Sequence, residues 1–101
     1  MNLSDQDRVK QQHQSAKYQF VMTELELAIT FAKMALSAED PDKAERTRGH
    51  AEQAFAAARH FVRGSSFTRK MRLEVEQRVE QIRQLMSRLK KSPNHRAARH
   101  I

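Results

Sequence analysis

The chain contains no cysteine and no tryptophan, and only two glycines and two prolines among its 101 residues. Without cysteine there is no disulfide framework, no thiolate metal site and no thiol nucleophile. So little glycine and proline cannot punctuate a many-stranded sheet. Alanine, glutamate, glutamine, arginine, lysine and leucine dominate instead, and these helix formers predict an all-α fold. Long apolar runs are missing too. Lys33 interrupts the best one, between Leu27 and Leu36, so no segment approaches the roughly 20 apolar residues of a membrane span. The opening residues, Met1 to Asp7, lack the basic region and apolar run of a secretory leader, and a cytoplasmic location is expected.

Acidic residues are absent after Glu80. Up to Gly64 the acids and bases balance, first through Ala38 and then again from Glu39 onward. From Ser65 to the end, ten lysines and arginines face only Glu74, Glu76 and Glu80, which accounts for the net charge of +7. A charge placed this way bears on partners and solubility rather than on fold.

The length fits one domain with one modest core. Ser4, Asp5 and Asp7 offer a cap and first-turn acids for a long first helix over about 5–36. Asp40 followed by Pro41 marks a second start, and Gly64 a left-handed stop, giving a helix over 41–63. Ser65 or Ser66 would cap a third helix over 66–91, ended by Ser92 and Pro93. Residues 92–101 form a basic tail. Short connections favour antiparallel neighbours, so the expected architecture is an antiparallel three-helix bundle, residues 1–91, with a long first helix.

The second helix carries one narrow apolar stripe, Ala44, Ala51, Ala54, Phe55, Ala58, Phe61 and Val62. On the third, Val75, Arg78, Ile82, Leu85 and Leu89 repeat with heptad spacing. Arg78 is expected to lay its alkyl stem on the seam and hold its guanidinium in water. The first helix has two stripes. Tyr18, Val21, Met22, Leu25, Ala28, Ile29, Ala32 and Leu36 share one side, while Phe20, Leu27, Phe31 and Met34 lie on the other. Gln19, Glu26 and Lys33 separate them on one flank and Glu24 on the other. Either the other two helices wrap this helix from both sides, or a second copy covers Phe20, Leu27, Phe31 and Met34. The second helix supplies only Phe55, Phe61 and Val62 as large apolar side chains, which favours the second copy and a homodimer.

No catalytic constellation emerges. None of His13, His50, His60, His95 and His100 has a histidine four residues away or a carboxylate in a metal-ligand motif, so no metal site is expected. Glu76 and Glu80 are placed to pair with Arg72 and Arg83 at helical spacing. Gly49 and Gly64 stand alone, and no glycine-rich loop is present to cradle a phosphate or nucleotide cofactor. An enzyme is not expected. The basic end, Arg83, Arg88, Lys90, Lys91, Arg96 and Arg99, could neutralise phosphates without reading sequence, since no aromatic residue lies among them to stack on bases. The same absence argues against membrane binding. The sequence therefore points first to a non-catalytic interaction or scaffold protein that self-associates and takes a further protein partner. Its alternative is a sequence-nonspecific nucleic-acid-binding accessory protein.

Overall fold

The computed structural model describes residues 5–91. They form three helices, α1 (Asp5–Ser37), α2 (Pro41–Arg63) and α3 (Arg69–Lys90), with no strand among the described residues. The residues invoked to cap the first helix, Ser4, and to end the third, Ser92 and Pro93, lie outside them, as does the basic tail.

Local chemistry explains the boundaries. Asp40 has an extended backbone, its carboxylate accepts from the Asp42 N–H at 3.1 Å, and Pro41 opens α2 where no amide is needed. At the far end Gly64 does not take the expected left-handed conformation; its φ is −95°. The chain closes α2 through Ser65 instead, whose N–H and hydroxyl donate to the carbonyls of Val62 at 3.1 Å and Phe61 at 2.6 Å. Ser65 does not start the next helix. Thr68 does so, accepting from the Met71 N–H at 3.1 Å, and α3 begins at Arg69 rather than at residue 66.

α1 is the central element: it packs against both α2 and α3, whose own backbones hardly approach one another. Ala28, Ala32 and Ala35 on α1 and Ala51, Ala54 and Ala58 on α2 are all buried in one core cluster, and side chains this small let helices come close. Larger side chains fill the α3 side. Val21, Leu25 and Ile29 meet Phe67, Val75, Ile82, Leu85 and Leu89 in the same core cluster. Among the described residues Thr47 is the buried polar one, and its hydroxyl is satisfied by the carbonyls of Lys43 and Ala44 at 2.9 and 3.1 Å.

Polar contacts tie α1 to the chain around α3. Tyr18 donates to Glu74 and stacks edge-on with Phe67 at 5.8 Å, while the Gln14 side chain donates to the Ser66 carbonyl. Arg78 reaches Glu26 at 2.7 Å, with 43% of its side chain exposed. Its guanidinium therefore holds an exposed cross-helix ion pair, of a kind that contributes only about 0.2–1 kcal/mol. The pairs expected within α3, Arg72 with Glu76 and Glu80 with Arg83, are not among the ion pairs formed. Asp7 through His13 are helical yet exposed throughout, in keeping with a first helix that starts beyond the reach of the core.

Candidate interaction surfaces

The second stripe of α1 meets two different environments. Phe20 is half-buried against the ring of Phe61, edge-on at 4.6 Å, and Phe31 packs on the core with its ring 5.1 Å from that of His50. Leu27 and Met34 have no such cover and are 41% and 38% exposed. α2 thus shelters one edge of the stripe and leaves the other open. Phe61, counted with the α2 core from its helical position, is 39% exposed and extends the open row from α1 onto α2. Only the packed position of Phe20 reveals this, because an isolated wheel of α2 cannot register what its neighbour carries.

Along α1 the open face has a regular period. Val9, His13, Ala16, Phe20, Thr23, Leu27, Thr30 and Met34 follow one another at alternating intervals of three and four residues, and all except Phe20 are exposed. This is the seam spacing of a helix that packs against another helix. It spans roughly 37 Å at 1.5 Å per residue.

A second surface was not evident in the sequence. Where α2 and α3 stand apart, a groove of about 510 Å³ opens over Leu25, walled by Ala58 and Val62 from α2 and Val75 and Val79 from α3. Arg59 and Arg63 stand on its α2 rim, and Glu76, Glu80 and Arg83 on its α3 rim. Arg59 also lies over the Phe55 ring, 5.6 Å from its centroid.

Among the basic residues, Arg83 lines this groove, whereas Arg88, Lys90 and Lys91 are exposed at the end of α3 and form no ion pair among the described residues. Arg88 and Lys90 also lie in the last turn, where cations favour the helix dipole. Arg96 and Arg99 lie outside the described residues, as do His95 and His100. Arg48 is differently placed. Its pKa is raised, chiefly by its hydrogen bond to Glu45, with partial burial opposing and Glu52, 2.9 Å away, reinforcing the rise.

The histidines are dispersed. His13 is exposed near the start of α1, His50 stacks on Phe31, and His60 meets Phe61 edge-on at 5.5 Å. Among the described residues no three histidine, aspartate or glutamate side chains gather where they could hold a metal ion, and no helix is long and apolar enough to cross a membrane. No family model, curated protein or solved structure matches this chain.

Proposed function

We propose that this chain is a non-catalytic, cytoplasmic helical interaction module that self-associates as a homodimer through the open stripe of α1. The observation that carries this reading is the exposure of Leu27 and Met34 on the same helical face as the Phe20–Phe61 pair. Isolated exposed apolar residues need no explanation, but a row repeating every seven residues along one helix is the pattern a second helix buries. Antiparallel packing within the subunit agrees with the order of contacts, since Phe20 meets Phe61 and Phe31 meets His50. Sedimentation at tens of micromolar tests the proposal: a dimer is expected for the unmodified protein and a folded monomer for the Leu27→Glu/Met34→Glu variant, which would place charges in the contact.

A second reading, sequence-nonspecific nucleic-acid binding, is favoured by Arg88, Lys90 and Lys91, which stand exposed without acidic partners among the described residues. It separates from the first by salt. Affinity for a generic duplex that falls steeply with ionic strength belongs to the second reading, and a dimer mass indifferent to added polyanion belongs to the first.

A further inference from the structure

We infer that the second copy lies across the open face of α1 with its own α1 running in the opposite direction, about a two-fold axis passing between Leu27 and Thr30. This rests on the self-association proposed above and adds its orientation and its specificity. Charge and register set this orientation. On the flank of the stripe away from α2, Gln19, Glu26 and Lys33 recur at seven-residue intervals, so they form one row along the helix. Glu26 and Lys33 are both exposed, and Lys33 forms no ion pair among the described residues.

An acid followed two turns later by a base becomes its own complement when the helix is reversed, which is what an isologous two-fold contact requires. In the antiparallel arrangement like flanks face one another. Glu26 of one copy then stands opposite Lys33 of the other, and the symmetry makes the pair twice. Leu27 and Thr30 sit at the centre of the seam, with Phe20 and Met34 on either side. A parallel, in-register pair would bring the row against the opposite flank, setting Gln19 against Glu24 and Glu26 against Phe31 of the second copy; neither contact attracts. Phe61 enlarges the apolar ridge on the α2 side, since it is open beside Phe20.

Charge reversal tests the orientation on the full chain by sedimentation, with circular dichroism to confirm helix content. Lys33→Glu alone, and Glu26→Lys alone, should each weaken the homodimer roughly tenfold, since two attractive pairs become repulsive and tenfold corresponds to about 1.4 kcal/mol. Mixing the two variants should restore wild-type affinity as a heterodimer, because each interface then again pairs Glu with Lys. Glu26 also holds Arg78, so Glu26→Lys could unsettle α3. Adding Glu26→Gln to Lys33→Glu supplies a second route, and should recover part of the lost affinity. If Lys33→Glu leaves the dimer unchanged, or weakens it in a way that neither mixing nor Glu26→Gln relieves, the antiparallel pairing is wrong while self-association stands. An unmodified protein that is monomeric removes both.

Discussion

The ring of Phe20 on α1 meets the ring of Phe61 on α2 edge-on, with centroids 4.6 Å apart. This contact covers one end of the outer stripe of α1 within the subunit. α2 reaches Phe20 with Phe61 and Phe31 with His50 but leaves Leu27 and Met34 exposed, its buried positions being Ala44, Thr47, Ala51, Ala54 and Ala58. Close approach of the two helices and an open row at Leu27 and Met34 are therefore two results of the same alanine-rich face.

Phe61→Ser should weaken self-association while leaving the fold cooperative, because Phe61 contributes to the open ridge and not to the buried core cluster. A loss of several-fold in dimer affinity is expected from the apolar area removed. The check is the concentration dependence of the thermal midpoint, which should shrink in the variant.

The core side of α1 should respond quite differently. Leu25 and Ile82 are fully buried, and either one replaced by alanine should cost about 2–5 kcal/mol in chemical denaturation, through lost transfer energy and the cavity left behind.

Caps offer a finer test of the connections. Asp40→Ala and Thr68→Ala should each lower stability by about 1 kcal/mol, since each side chain satisfies an amide at a helix start. Ser66→Ala should cost much less, because it is the Ser66 backbone carbonyl, not its hydroxyl, that receives the Gln14 side chain. Denaturation midpoints of the three variants, measured together, decide between a helix start at residue 66 and one at Arg69.

Those connections also show where reading the chain alone succeeds. Asp40–Pro41 is an unambiguous start, because proline and a capping carboxylate exclude most alternatives. Between Gly64 and Arg69, however, Ser65, Ser66 and Thr68 are all capable caps, and only the folded chain shows Ser65 closing α2 on Phe61 while Thr68 caps α3. The double stripe of α1 was legible because its period is local. Phe61 was not, since its exposure depends on a helix some forty residues earlier, and neither was the α2–α3 groove, which exists because α1 holds both helices while they stand apart. The basic end is legible as charge, but charge without geometry does not choose a partner.

Gly49 lies within α2, at a negative φ, and a Cβ added there would meet nothing within 4 Å. Gly49→Ala should therefore stabilise the protein by about 0.5–1 kcal/mol, through reduced freedom of the unfolded chain and better helix propensity. Thermal unfolding at fixed protein concentration reads this directly.

For the basic end, neutralising Arg88, Lys90 and Lys91 together should flatten the slope of log affinity against log salt by roughly 2.7 on generic duplex, if these residues contact phosphate. Helix content should hold, because all three are exposed. A slope unchanged by the triple variant assigns any duplex binding to another surface.

Sedimentation of the unmodified chain beside its Leu27→Glu/Met34→Glu variant, both at tens of micromolar, shows whether the open stripe of α1 holds two copies together. Both substituted side chains are exposed in the subunit, so the variant keeps its fold and any change of mass reports on association. Self-association through the open stripe of α1 predicts a dimer for the first and a helical monomer for the second. Two monomers, or two dimers of equal affinity, would contradict it.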